Sequence, residues 1–536
     1  MNPSLIFNGL NDSQRQAVTS DGGHLLVAAG PGTGKTLTIV RRIAHLIKQG
    51  VDPGSILAVT FTNRAAREMK ERAGELLGDA ASRIFIGTFH LLGLRIIRES
   101  RSDDFAICGR EEQVALLKSL AKEGSRKSAQ LAERISRIKN FLDEPADDIA
   151  ELVGAYQEAL KRNNACDFDD LISVPIQLLE KAGEASVFRE RFRHIIIDEY
   201  QDINPAQYRF LRLLAGSHAS VCAVGDSDQA IYAFRGADIE NFLNFEKDFP
   251  AAARVTLSEN YRSTDTIVGA SGRVIGNNRK RIEKKLASTR DAGAKITVLD
   301  LPDERAEAAA IINEIEARMG GTSHYRMAQG RSPHDSFEQN CRFSDFAVIY
   351  RTNAQARALE EAFAASGIPF QVMGKRNSLQ RKEMEETIAY LRALALPDGA
   401  ADPGSSETDR MERLLSEADL FDPRADCVTL MTMHTAKGLE FPVVFIAGCD
   451  EGLVPCTIMQ DGIDIEEERR LFYVGMTRAK DELFLLHARN RFLFGQRLAP
   501  PPSPFLSEIP GELKECLVVA DKIRKQKPEE KQMGLF

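Results

Sequence analysis

The run Ala29-Gly30-Pro31-Gly32-Thr33-Gly34-Lys35-Thr36 constrains this chain more than any other segment. An apolar stretch at residues 24–28 precedes it and an amphipathic stretch at 37–48 follows, so the pattern predicts strand, glycine loop and helix in succession. Glycines let the backbone curl until several N–H groups converge, and the start of the helix adds partial positive charge. That combination cradles phosphate. Ala29 stands where the usual pattern has its first glycine, a small-for-small exchange. Lys35 is placed to neutralise β- and γ-phosphate oxygens, and Thr36 to hold Mg²⁺ through its hydroxyl. The expected cofactors are therefore ATP and Mg²⁺; the alternative is a glycine turn that merely caps a helix.

Such a loop belongs at the edge of an α/β sheet, and the rest of the chain supplies one. Apolar runs of strand length recur at 24–28, 56–60, 84–87, 194–197, 221–224 and 255–257. A second series falls at 296–299, 346–350, 370–373, 428–431, 443–447 and 483–486. Most are continuous Val/Ile/Leu/Phe runs, as in strands buried on both faces of a parallel sheet. With helical patterns between them, the two series predict two α/β domains in tandem. Between 91 and 177 the strand signal gives way to amphipathic helix at 111–122 and 129–141, which reads as a helical insertion in the first domain. The expected division is 1–90 with 178–265, the insertion at 91–177, a second domain at 266–510, and a charged flexible tail at 511–536. Residues 320–340 and 397–408 read as loops.

Composition narrows the function class. A chain of 536 residues that is 43% hydrophobic and 28% charged is long enough for several packed lobes and is not fibrous or largely disordered. No apolar run approaches the roughly 20 residues a membrane-spanning helix needs. The first residues lack the basic and apolar regions of a secretory signal, and the eight cysteines include no C-x-x-C pair. The expectation is a cytoplasmic protein with no membrane partner. A net charge of −8 argues against a generally basic surface, while leaving room for a local nucleic-acid groove.

Two acidic motifs end apolar runs. Asp198 and Glu199 follow Ile195-Ile196-Ile197, where the carboxyl end of a strand meets the ligand crevice. Asp198 is placed to bind Mg²⁺ through water, and Glu199 to orient and deprotonate an attacking water. In Val224-Gly225-Asp226-Ser227-Asp228-Gln229, Gln229 is placed to hydrogen-bond both the γ-phosphate and that water. Taken alone, each motif also fits a solvated strand end or turn.

The ordered set of motifs resembles the UvrD/PcrA/Rep family of superfamily-one DNA helicases. The matching segments are Leu10-Asn11-x-x-Gln14, the phosphate loop, Thr60-Phe61-Thr62-Asn63-Arg64-Ala65-Ala66, Gly87-Thr88-Phe89-His90 and Asp167-Phe168-Asp169-Asp170-Leu171. Then come Asp198-Glu199-Tyr200-Gln201-Asp202, residues 225–236, Glu259-Asn260-Tyr261-Arg262-Ser263 and Tyr350-Arg351-Thr352-Asn353-Ala354-Gln355. His434-Thr435-Ala436-Lys437-Gly438-Leu439-Glu440-Phe441 and Tyr473-Val474-Gly475-Met476-Thr477-Arg478-Ala479 complete it.

The resemblance implies two tandem RecA-like motor domains, with ATP between them and DNA across their tops. It implies that Gln14 and Tyr261 contact adenine, Glu440 the ribose, and Arg262 and Arg478 the γ-phosphate, with Gln229 coupling nucleotide to DNA. Arg478 is expected on a helix over 466–482 of the second domain, so it reaches ATP only when the cleft closes. Phe61, Tyr232, Phe234 and Arg235 match the family's base-stacking positions, and stacking tolerates any sequence. Asn63, Arg64, Thr88, His90 and His434 are the expected phosphate or sugar contacts; with no third ligand at metal spacing, a metal reading of the two histidines is set aside. The implied activity is an ATP-dependent 3′→5′ DNA helicase, DNA-stimulated as an ATPase and acting in repair or recombination on single-stranded and 3′-tailed duplex DNA. The alternative is a single-strand translocase that strips bound proteins with little unwinding.

The chain departs from the family's pattern in several places. It contains no Trp, so Phe234 replaces the usual tryptophan, and Leu37 stands where relatives often carry an arginine. Between residues 388–392 and the strand at 428, only a short polar connector replaces the family's large accessory subdomain. The final Gln532-Met533-Gly534-Leu535-Phe536 resembles a sliding-clamp-binding peptide, with Gln532, Leu535 and Phe536 as its anchors.

Overall fold

The computed structural model describes residues 6–519 apart from 22, 102–104, 122–123, 142, 184–185, 218, 321–340, 374–423, 459–461 and 494. The clamp-like peptide at 532–536, the 388–392 motif and most of the expected loops at 320–340 and 397–408 lie outside the described residues. Along the chain the strands are β1 (Leu25–Ala29), β2 (Ile56–Thr60), β3 (Phe85–Thr88), β4 (Ala106–Cys108), β5 (Ala165–Asp167), β6 (His194–Ile197), β7 (Ser220–Gly225), β8 (Ala253–Leu257) and β9 (Glu259–Asn260). There follow β10 (Ala287–Ser288), β11 (Ile296–Asp303), β12 (Phe346–Tyr350), β13 (Phe370–Val372), β14 (Val428–Thr432), β15 (Phe441–Ile446), β16 (Ala479–Leu493), β17 (Gln496–Leu498) and β18 (Lys514–Val518).

The first sheet has six strands in the order β3-β2-β6-β7-β1-β8, all parallel. Every residue of β1 and β2 is buried, as their unbroken apolar runs require of strands covered on both faces. Leu26, Leu57, Ile195 and Val221 pack one face; Leu25, Val27, Ile56 and Ile196 pack the other. Parallel pairing brings the ends of β1, β6 and β7 to one edge, so the phosphate loop, Asp198-Glu199 and Gln229 emerge together.

The second sheet runs β13-β14-β12-β15-β16-β11-β18, parallel throughout, with β17 hairpinned antiparallel onto the end of β16. Its strands also carry apolar faces, with Val348, Leu430, Phe445 and Phe484 on one side and Ile349, Met431, Val444 and Leu485 on the other.

Between β3 and β6 lies the insertion. Its helices Arg110–Ala121, Ser125–Phe141 and Asp147–Arg162 close over a separate small core of Leu117, Ile135, Ile149, Tyr156 and Leu160. The expected strandless insertion holds one parallel pair, β4 with β5. Each of these strands has only three residues, too short to produce an apolar period.

Two boundaries differ from expectation. The tail expected from residue 511 begins later, because β18 continues the second sheet beside β11; alternation in Lys-Glu-Cys-Leu-Val is masked by its charged residues. The helix expected over 466–482 is Ile465–Met476, and Arg478 sits in the turn that leads straight into β16. The chain turns there because Ala479 pairs in register with Phe441 at the start of β15.

Candidate active site

The phosphate loop joins β1 to the helix Lys35–Lys48. Its Gly32 has φ +67°, and a Cβ there would lie 2.6 Å from Cβ of Arg262, so only glycine fits between the loop and the Arg262 segment. Asn260 ties the two together: its Nδ2 donates to the carbonyl of Pro31 (2.7 Å), while the N–H of Tyr261 donates to Gly32 O (2.9 Å). Lys35 Nζ donates to Ala29 O (3.3 Å) and stands 3.9 Å from the Glu199 carboxylate.

Glu199 itself occupies the left-handed region, at φ +53°. A non-glycine residue held there at the end of a core strand stores strain typical of functional positions. Burial pushes Asp198 up to about 7, helped by the Glu199 charge. Glu199 is only partly buried, and Lys35 and Lys437 hold it down to about 2. Two adjacent carboxylates with divided protonation suit divided roles: one able to take a cation, one ionised and able to take a proton from water.

Lys437, quoted within a motif but given no role by sequence reasoning, is the principal addition. It comes from the loop between β14 and β15 and pairs with Asp202, with Glu199 at 3.5 Å. Its Nζ also donates to the backbone carbonyl of Gln229 (2.9 Å). Nothing in the sequence singles it out, because a lysine in a glycine-containing loop has the appearance of a solvated one.

Arg262 and Arg478 also line the cleft. Arg478 is buried, donating to Val474 O (2.9 Å), Leu439 O (3.1 Å) and Thr477 Oγ1 (3.0 Å). Among the described residues no carboxylate pairs with it; burial, with Arg262 nearby, pulls its guanidinium down to about 9. Such a cation calls for an anion. Arg262 Nε donates to Glu440 Oε2 (2.6 Å), and Lys480 reaches the same carboxylate (2.8 Å). Lys437, Glu440 and Arg478 precede β15 and β16, so the cleft is walled by carboxyl ends of the first sheet and amino ends of the second.

The expected adenine contacts separate. Tyr261 is 45% exposed, its hydroxyl accepting from Asn11 Nδ2 (2.8 Å) and donating to Glu259 (2.9 Å). Gln14 is buried, its Oε1 accepting from Asn11 N (3.1 Å) and its Nε2 donating to Thr33 O (3.0 Å). In this structure it caps its own helix and braces the phosphate loop. Thr36 and Asp198 both line the cleft. A hydroxyl and one buried carboxylate fit Mg²⁺ that takes its remaining oxygens from nucleotide and water. Among the described residues no group of three or more His, Cys, Asp or Glu forms a self-sufficient metal site.

The cleft, of about 2860 Å³, extends past the expected DNA positions, which all line it: Phe61, Asn63, Arg64, Thr88, His90, Tyr232, Phe234, Arg235 and His434. Not all offer a free face. Phe61 and Tyr232 stack on each other, centroids 5.0 Å apart, and Lys437 and Arg235 lie over the Tyr232 ring at 5.1 and 5.0 Å. Phe234 is 59% exposed, with His434 edge-on at 5.2 Å and Arg235 over the ring at 5.6 Å. Thr88 accepts from Leu91 N, capping the helix Phe89–Ser100. His90 stacks on Phe168 at 3.9 Å. Burial drops both His90 and His434 to about 3, so each enters the groove as a neutral ring.

The UvrD/REP helicase N-terminal domain profile matches residues 10–250, and the UvrD-like helicase C-terminal domain profile matches 255–401 and 403–490. The chain is similar to the ATP-dependent DNA helicase PcrA of Staphylococcus aureus, 33% identical over an alignment covering 96% of this chain and 88% of that protein. It is similarly close to the protein of that name from Staphylococcus epidermidis, at 32% identity, with 95% and 87% covered. The Staphylococcus aureus alignment spans 657 positions against a chain of 536, so that relative carries residues with no counterpart here.

Proposed function

The chain belongs to the UvrD/REP helicase family, and we propose that it is a DNA-stimulated ATPase that moves 3′→5′ along single-stranded DNA and separates duplex from a 3′ tail. The observation that carries this reading is the meeting of charges from both lobes in one cleft: Lys35 and Glu199 from the first, Lys437 and Arg478 from the second. ATP enters the cleft with its triphosphate on the phosphate-loop amides and Lys35, Tyr261 stacking on the adenine and Glu440 near the ribose. Thr36 and Asp198 would hold Mg²⁺, which when bound would supply positive charge beside the phosphates. Glu199, ionised and strained, takes the proton of the attacking water, and Arg262 and Arg478 meet the charge that develops on the γ-phosphate.

The second lobe supplies Arg478, so hydrolysis demands closure, and closure moves the groove segments of the two lobes relative to each other. Phe234 and His434 come from different lobes and touch at the groove, which supports a step of the DNA track with each cycle. The family relatives' extra residues support a further point: this chain engages duplex without a large accessory subdomain. A role in repair or recombination and docking of Gln532, Leu535 and Phe536 on a sliding clamp extend the same reading.

The test is ATP hydrolysis with and without single-stranded DNA, together with unwinding of 3′- and 5′-tailed duplexes, with Lys35→Ala as control. DNA stimulation and unwinding from the 3′ tail only are expected. Hydrolysis indifferent to DNA, or unwinding from the 5′ tail, overturns the proposal.

A further inference from the structure

Between the helix Asp265–Ile275 and β10 the chain forms a strap from the second lobe to the first. One end is fastened to the helix Ile465–Met476, which leads into Arg478. There Asn278 Nδ2 donates to Glu466 O (2.8 Å), and the N–H groups of Arg279 and Lys280 donate to the Glu466 carboxylate (2.9 and 3.1 Å). The other end grips the Asp226–Gln229 turn. Arg281 holds Asp228 in a bidentate pair (3.0 and 2.7 Å), Ile282 N donates to Ser227 Oγ (3.0 Å), and Lys284 Nζ stands 2.5 Å from both Asp226 Oδ1 and Asp228 Oδ2. Beyond it Leu286 presses on the phosphate loop: a Cβ on Gly30 would lie 2.6 Å from its Cδ1.

Lys284 is a cation with a side chain only 2% exposed, set against aspartates that are 0% and 1% exposed. So complete a burial is costly unless the pairing is needed. Its consequence lies one bond further on. Asp226 Oδ1 takes Lys284 and the N–H of Asp228, while Oδ2 accepts from Gln229 Nε2 at 2.8 Å. With its NH₂ thus engaged, Gln229 turns its carbonyl oxygen toward Arg478 Nη2 (3.4 Å).

We propose that Lys284 is a positioning residue for hydrolysis: by holding Asp226 as a hydrogen-bond acceptor it fixes the Gln229 amide so that the oxygen faces Arg478 and the γ-phosphate. The inference rests on the nucleotide-motor reading above and adds to it a residue outside the motifs. Were Asp226 protonated, its hydroxyl would donate to Gln229 Oε1, the amide would turn over, and its NH₂ would face the Arg478 guanidinium, donor against donor. The charged and titratable groups around Asp226 are Lys284 and Arg281 of the strap, Asp228 of its own turn, Lys35 of the phosphate loop and Tyr473 of the Ile465–Met476 helix. Lys284 is the cation in direct contact, and burial alone would drive the carboxyl toward its neutral form.

The experiment is steady-state ATPase of the full chain with saturating oligo(dT), between pH 6 and 9, for wild type, Lys284→Met and Lys284→Arg. Lys284→Met is expected to lower kcat about 10- to 100-fold at pH 7, the usual cost of losing a group that orients a working one. KM for ATP should hardly change. Relative to wild type, kcat should recover as rising pH re-ionises Asp226, and Lys284→Arg should retain most of the rate. A loss by the same factor at every pH, no loss, or failure of arginine to substitute overturns the proposal. If Lys284→Met does not fold, the double variant Lys284→Met with Asp226→Asn removes both charges; its kcat relative to wild type should be flat with pH, and a steep rise contradicts the inference. Wild type without DNA-stimulated hydrolysis defeats the motor reading instead.

Discussion

Arg478 Nη2 lies 3.4 Å from Gln229 Oε1, 249 residues away in sequence and across the boundary between two sheets. The contact joins a side chain that senses the turn after β7 to one fixed at the entrance of β16. No carboxylate among the described residues pairs with Arg478, and in the proposed reading its charge meets the γ-phosphate. Arg478→Ala should therefore cost about 10³–10⁵ in DNA-stimulated kcat, the range for a transition-state arginine. Nucleotide binding, followed by a fluorescent ATP analogue, should change far less. Equal losses in binding and turnover would make Arg478 a mere binding residue.

Burial, helped by the Glu199 charge, pushes Asp198 up to about 7. A cation must displace its proton, so apparent Mg²⁺ affinity should fall as pH drops below about 7, approaching tenfold per unit, and binding should release a proton. Calorimetry of Mg·ADP binding in buffers of differing ionisation enthalpy measures this. Affinity independent of pH from 6 to 8 would remove Asp198 from the metal site.

Lys437 is 8% exposed and Asp202 fully buried, so breaking their pair strands a carboxylate. Lys437→Ala should cost roughly 3–5 kcal/mol of stability at neutral pH. Asp202 is already raised to about 7 by burial, with Lys437 opposing that rise. Without the lysine it rises further, and a native state that binds the proton more tightly than the unfolded chain gains stability as pH falls. The difference in Tm from wild type should thus narrow between pH 8 and pH 5. A deficit that widens toward low pH contradicts the assignment.

Phe234 is the most exposed ring of the aromatic group, with Arg235 over it at 5.6 Å, while Phe61 and Tyr232 stack on each other. Phe234→Ala should weaken oligo(dT) binding by about 1–3 kcal/mol, and Phe234→Trp should hold or strengthen it. Fluorescence anisotropy at fixed salt reads both. Loss of DNA affinity from Phe61→Ala with none from Phe234→Ala would relocate the stacking site.

The central strands and the ligand edge were legible because their residues obey simple rules. Ile195–Ile197 is a continuous apolar run ending in two carboxylates, and Gly30 to Thr36 is a loop with one structural use. The expected strands at 56–60, 194–197 and 346–350 coincide with β2, β6 and β12. What failed to show was short or depended on distant partners. The three-residue β4 and β5 carry no period, and β18 is disguised by Lys514 and Glu515. Lys437 and Lys284 carry no local sequence signal, because the aspartates that bury them lie 235 and 58 residues away. Gln14 caps its helix, as the Asn11-x-x-Gln14 spacing allows, and also donates to Thr33 O, a contact 19 residues away that spacing does not reveal.

If one nucleotide is gripped from both lobes at once, a structure with a non-hydrolysable ATP analogue, Mg²⁺ and oligo(dT) will show it. The γ-phosphate oxygens should lie within about 3 Å of both Lys35 Nζ and the Arg478 guanidinium, hydrogen-bonding distance for charged groups. A bound analogue that touches Lys35 while Arg478 remains turned to its own lobe, with the cleft closed on DNA, would contradict it.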